Sequence, residues 1–175
     1  MANHINFPTM DVFTEKPFIL DTNVWLYLYS EYNTSDFVYS LVYEKLIEEN
    51  ADILLPPLVA TEIVNRYCRQ SFEIYKNRFP RRDRHLIQYK RDFRNTEEFR
   101  TAHENILEIL ENDIKDISRF VPIIETDLDH AICTPCLDDL NDNIIVNIAE
   151  RENAIIVSHD RDFLGIERNI DIIRL

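Results

Sequence analysis

Phe18-Ile19-Leu20-Asp21-Thr22-Asn23 is the stretch on which the fold turns. Three apolar residues in a row, with no alternation, read as a strand buried on both faces. The polar switch at Asp21 ends that strand. From Thr22 the apolar residues Trp25, Leu26 and Leu28 fit one side of a helix. Strand, acid, helix is the opening of a βα unit, and the rest of the chain repeats the alternation. Ser35 to Glu49 carries Val38, Leu41, Val42 and Leu46 at helical spacing. Ile53-Leu54-Leu55 is a second buried strand, and Pro56-Pro57 opens a helix bearing Val59, Glu62 and Ile63. Ile106, Leu107, Ile109, Leu110 and Ile114 mark another helix. Val121 to Ile124 is a strand candidate. Asp138 to Glu152 reads as a helix with Ile144, Ile145, Ile148 and Ala149 inward. Ala154 to Val157 and Ile170 to Ile173 close the series as strands. Residues 1–16 are polar and read as a loosely held arm. The expectation is an α/β fold with a mainly parallel central sheet.

At 175 residues with 45% hydrophobic content, the chain suits one unit spanning 1–175. No stretch has the roughly 18 continuous apolar residues of a membrane helix. The N-terminus lacks the basic start and apolar core of a secretory signal, which makes a cytoplasmic location the expectation. Three cysteines, Cys68, Cys133 and Cys136, are too few for a disulfide framework. Cys133-Thr134-Pro135-Cys136 has C-x-x-C spacing, but no second Cys/His pair completes a zinc site, and Pro135 places it in a loop. A single glycine, Gly165, excludes glycine-rich phosphate loops.

The net charge of −13 is unevenly spread. Arg66 to Arg100 holds eleven Lys/Arg against five Asp/Glu, a local net of +6, which leaves −19 for the remainder. Pro80 is expected to break this basic segment into two helical arms, within a helical insertion at about 66–118. Glu62, Arg66 and Arg69 share a helical face at i, i+4 and i+7. Beyond them lie Arg81, Arg82 and Arg84, with Tyr75, Phe79, Tyr89 and Phe93 interleaved. Cations for phosphates and aromatics for bases suit a single-stranded nucleic acid. The plainer reading is a solvated arm whose aromatics pack inward.

Four acids are expected at one edge of the sheet. Asp21 ends the first strand, and Asp160 follows the Ile155–Val157 strand after Ser158-His159. In a parallel sheet both stand beyond the carboxyl ends of their strands. Glu62 and Asp142 sit near the starts of helices, with Asp138 and Asp139 one turn before Asp142. Singly, Asp21 is readable as a helix cap, and the others as acids favoured by a helix dipole. Together they repel one another unless a cation neutralises them, and hard oxygen ligands suit Mg2+ or Mn2+.

Four segments then carry a family resemblance: Asp21-Thr22-Asn23 after its strand, Leu58 to Ile63 around Glu62, Asp142 to Ala149, and Ile156 to Phe163. In this order they resemble the motifs of PIN domains, over about 17–70 and 137–175. The resemblance implies a three-layer α/β/α sandwich and a metal-dependent endoribonuclease. It places Asp21, Glu62, Asp142 and Asp160 at the Mg2+ or Mn2+ centre, with Asp139 and Asp162 as competitors. Arg66, Arg69, Arg81, Arg82 and Arg84 are then the expected RNA contacts, and Ser158 and Asn23 are expected to orient water. Toxin-type members of the family bring in a protein antitoxin, and a homodimer is a further expected assembly. The competing readings are a catalytically inactive PIN-like module that binds RNA or protein, histidine-based cleavage without metal, and a haloacid dehalogenase phosphatase. The five histidines are scattered, and the phosphatase needs an aspartate where Asn23 stands.

Overall fold

The computed structural model describes residues 2–5, 15–29, 37–163 and 165–174. Six parallel strands form one sheet: β1 (Asn3–Ile5), β2 (Phe18–Leu20), β3 (Ile53–Leu55), β4 (Ser118–Phe120), β5 (Ile155–Ser158) and β6 (Asp171–Arg174). Their spatial order is β1-β6-β5-β2-β3-β4. Every residue of β2, β3 and β5 is buried, as unbroken apolar strands require when both faces are covered. β2 and β5 are neighbours in register, Phe18 with Ile155 and Leu20 with Val157.

The helices are α1 (Thr22–Tyr29), α2 (Phe37–Glu48), α3 (Pro57–Lys76), α4 (Glu97–Ile109), a single turn α5 (Lys115–Ile117), α6 (Glu125–Cys133) and α7 (Leu140–Glu152). From β2 the chain winds through β3 to β4 in one direction, then returns past β2 to β5 and β6. Right-handed crossovers in opposite directions put their helices on opposite faces. Accordingly α1 packs with α2 and α3, and α3 with α4, whereas α6 and α7 pack on each other. The result is the expected α/β sandwich, with its direction change between β2 and β5.

Local chemistry sets the boundaries. Pro57 occupies the first turn of α3, where a missing N–H is harmless. With so little glycine, two asparagines take the left-handed positions that end helices: Asn50 at φ 51° and Asn153 at φ 53°. Asn153 donates its N–H to the carbonyls of Ala149 and Glu150. No described helix is long and apolar enough to cross a membrane.

Four expectations need correction. Within the expected polar arm, Asn3–Ile5 is an edge strand paired with β6. The strand placed at Val121 to Ile124 lies three residues earlier, at Ser118–Phe120, where Arg119 clamps Asp52 beside β3 with two guanidinium nitrogens. α6 is an additional helix that ends at Cys133, and Pro135 lies in the loop after it. Leu41 in α2 is half-exposed, so its spacing does not make it core. Ser35 and Asp36, at the expected start of that helix, lie outside the described residues.

The basic segment also differs from two helical arms. α3 runs unbroken to Lys76, and residues 77–96 form turns, a short 3-10 helix at Arg84–Leu86 and a π-helical turn at Tyr89–Phe93. The turns are pinned by aromatics. Phe93 is fully buried, with ring centroids 5.4 Å from Phe72, 5.2 Å from Tyr75, 5.6 Å from Tyr89 and 5.7 Å from Phe99. This second apolar cluster gives the inward reading of these rings its structural form. Phe93→Ala is expected to cost about 3 kcal/mol, the low end for a buried Phe truncation. Urea unfolding of the two proteins measures it.

Candidate functional site

Asp21 follows β2 directly, and its backbone N–H still bonds to Val157 O of β5 (3.0 Å). Its carbonyl accepts the N–H groups of Val24 and Trp25, so the residue does start α1. The carboxylate is turned elsewhere. Ser158 Oγ donates to Asp21 Oδ2 at 2.6 Å, and Asn23 Nδ2 donates to the same oxygen at 2.5 Å. Ser158 is 1% exposed and Asp21 7%. The Ser158 hydroxyl also accepts the N–H of Asp160 (3.0 Å) and Asn23 Nδ2 (3.2 Å). One buried hydroxyl therefore ties the ends of β2 and β5 together.

Glu62 enters from the second turn of α3. Thr22 Oγ1 donates to Glu62 Oε2 at 3.0 Å, and Arg66 Nε, one turn on, meets Glu62 Oε1 at 2.8 Å. α7 supplies the fourth side. Its N-cap is Asp139, whose Oδ1 accepts the N–H of Asn141 (2.7 Å). Asp142 is in the first turn. Asp138 precedes the helix, which corrects the expected helix start from Asp138 to Leu140.

Asn143 fixes this corner. It is 2% exposed. Its Oδ1 accepts the N–H groups of Cys136 (2.7 Å) and Leu137 (3.0 Å), and its Nδ2 donates to Leu137 O (2.7 Å) and Asp139 O (2.6 Å). The amide thus shapes the loop carrying Asp139 and sets its place beside Asp142. Asn143→Ala would strand two N–H groups, at about 1–3 kcal/mol each where buried. The expected loss is about 2–4 kcal/mol in urea unfolding.

These elements close a cleft of about 60 Å3 lined by Asp21, Asn23, Glu62, Arg66, Asp139, Asn141, Asp142 and Asp160. Five of those eight side chains are carboxylates. Burial, and then the charge of Glu62, push the Asp21 carboxyl up, against the lowering bonds from Ser158 and Thr22. Burial pushes Asp142 up to about 7, with the charges of Asp21, Asp139, Asp160 and Glu62 adding to it. Carboxylates that raise one another's pKa favour a cation between them. Among the described residues, Asn23 Oδ1 is buried without a hydrogen-bond partner, a further hard oxygen beside the cleft. The donor set thus fits Mg2+ or Mn2+. Among the described residues, however, no three carboxylate, imidazole or thiolate groups are drawn to the spacing of a closed metal shell.

Of the expected site residues, the structure brings together Asp21, Glu62, Asp142 and Asp160, with Asp139 and Arg66. Asp162 is not among the lining residues; its N–H donates to Asp160 Oδ1 at 3.0 Å. Arg69 lies in an adjoining recess of about 310 Å3 with Arg66, Gln70, Phe72 and Glu73, and its guanidinium stands 5.3 Å over the Tyr89 ring. Arg81, Arg82 and Arg84 line neither the cleft nor this recess. Arg84 instead donates to Phe79 O and Asn77 O. The sequence assigns no site role to Thr22, Asn141 or Asn143, although Thr22 and Asn143 stand inside the family-like motifs. For Thr22 the signal was its place directly after Asp21.

A family model, PIN domain, matches residues 18–169. The chain belongs to the PIN-domain family. Among solved structures, this PIN domain resembles FitAcB from Neisseria gonorrhoeae, with a TM-score of 0.55 and 16% identity over 89% of this chain and 96% of that one. It also resembles VapBC2 from Rickettsia felis, solved bound to a DNA fragment from their promoter, with a TM-score of 0.54 and 15% identity over 89% and 97%. FitAB bound to an IR36 DNA fragment gives 0.53 and 16% over 89% and 94%. At these identities the likeness is one of fold. No curated protein matches this chain by sequence. PIN domains are generally nucleases, so the family supports a PIN nuclease module.

Proposed function

We propose that this PIN domain is a metal-dependent endoribonuclease. Asp21, Glu62, Asp142 and Asp160 hold Mg2+ or Mn2+, with Asp139 at the rim. The observation that carries the reading is the five-carboxylate cleft at the direction change of the sheet, where ligands of parallel α/β folds bind. A bound divalent cation would supply Lewis-acid stabilisation to the attacking and leaving oxygens of a phosphodiester. The chain's own residues do the rest. Ser158 and Asn23 hold the Asp21 carboxylate in one orientation, and Thr22 does the same for Glu62. Asn143 holds the rim loop that carries Asp139.

RNA is the substrate this reading favours, with Arg66 and Arg69 leading away from the cleft. Arg81, Arg82 and Arg84 would meet phosphates farther along the basic segment 66–118. A protein antitoxin is the natural second partner, as for toxin-type PIN domains. The test is cleavage of a labelled oligoribonucleotide by purified protein in Mn2+ and in EDTA, beside Asp21→Asn. Cleavage in Mn2+ that disappears in EDTA and in the variant supports the reading. Cleavage that persists in EDTA overturns it. RNA binding with no cleavage under any metal would leave the inactive binding module.

A further inference from the structure

Arg66 is the only cationic side chain among the described residues lining the acidic cleft. It stands one helical turn after Glu62 on the same face of α3, and its Nε meets Glu62 Oε1 at 2.8 Å. The other oxygen, Oε2, is taken by the Thr22 hydroxyl. Both oxygens of Glu62 are therefore engaged by protein groups. A divalent cation reaching Glu62 through Oε1 competes with the guanidinium for that oxygen. The two cations also repel, and in a cleft walled by protein that repulsion is screened less than in water.

Arg66 has somewhere to go. Its side chain is 52% exposed. It also lines the adjoining recess with Arg69, where a guanidinium can meet a phosphate beside the one already stacked over Tyr89. An arginine is suited to both posts, since its planar fork takes a carboxylate or a phosphate in the same geometry.

The geometry points to Arg66 as a two-position arm: a built-in cation that holds Glu62 while the centre is empty, and a contact for an RNA phosphate once a divalent metal displaces it. This deepens the metal reading proposed above and rests on it. Arg66 here is a positioning residue for Glu62 in one state and a substrate contact in the other.

Two opposite effects of a single substitution follow. Arg66→Met keeps an apolar stem and removes the charge and the fork. It is expected to bind Mn2+ roughly fivefold tighter than wild type, the scale of one exposed ion pair and a nearby like charge removed. At saturating Mn2+ its KM for an oligoribonucleotide should rise, and the log–log salt slope of RNA affinity should shrink by about one. Arg66→Lys retains the charge, so its Mn2+ affinity should return toward wild type.

Mn2+ binding to the three folded proteins is measured by calorimetry, independently of cleavage. Tighter binding in Arg66→Met, or binding in that variant alone, supports the arm. Equal Mn2+ affinity in wild type and Arg66→Met overturns it and leaves the metal reading standing. No Mn2+ binding in any of the three overturns both.

Discussion

Asp21→Asn is expected to reduce RNA cleavage by about a thousandfold or more and to leave the fold intact. The size follows from the several kcal/mol that a metal contributes to a phosphoryl transition state, at about 1.4 kcal/mol per factor of ten. Asp21 is the carboxylate on which the rest of the cleft is built. It is buried at the junction of the two central strands, held by Ser158 and Asn23, and it raises the pKa of Asp142. Asparagine keeps the volume and one oxygen, and the Ser158 hydroxyl can still donate to that oxygen. It loses the charge that draws a divalent cation. Removing one of several repelling carboxylates also relieves the metal-free protein, so its Tm should match or exceed that of wild type. Cleavage rates and thermal unfolding on the same preparation check both halves. A variant that unfolds, or one that retains full activity, contradicts this account of Asp21.

The second large effect is a pH-dependent stabilisation by metal. The Asp142 carboxyl is raised from 3.8 to about 7, and that of Asp21 is raised in the same direction. The native state therefore keeps a proton on Asp142 between pH 3.8 and about 7, where the unfolded chain has released it. Stability of the metal-free protein falls as pH climbs through that window. Metal reverses the sign. Above pH 7 the ionised cluster is free of proton competition. Mn2+ at about 100 times its Kd should then add roughly 2.7 kcal/mol, or roughly 5–10 °C in Tm for a chain of this size. Near pH 5 protons occupy the site and the shift should shrink toward zero. Differential scanning calorimetry with EDTA and with Mn2+, at pH 5 and pH 8, gives the four values. A metal shift of equal size at both pH values would contradict the shared cleft. Asp142→Asn at pH 8 should raise the metal-free Tm and diminish the Mn2+ increment.

The sequence showed the frame because its signals are local. Phe18–Leu20, Ile53–Leu55 and Ile155–Val157 are apolar runs that only a sheet covered on both faces can bury. The acid after each strand, or at the head of the next helix, is placed by chain order alone. Parallel βα alternation then forces Asp21, Glu62, Asp142 and Asp160 to one edge, whatever the details of packing. Burial and repulsion at that edge required coordinates, because they depend on how close the elements stand.

What stayed hidden in the sequence is of a different kind. Asn3–Ile5 is too short and polar to read as a strand, and it exists through pairing with β6. Phe93 sits among arginines, and only the rings of Phe72, Tyr75, Tyr89 and Phe99 folding over it show that it points inward. Asn143 looks like any polar residue in a helix, but its amide meets four backbone groups of a loop that precedes it. Arg66 reads as a substrate contact from charge and spacing, whereas its bond to Glu62 gives it a second role. Apolar periodicity and residue order are properties of neighbours along the chain, so sequence carries them. Hydrogen bonds such as Ser158 to Asp21, 137 residues apart, are made by the closure of the sheet.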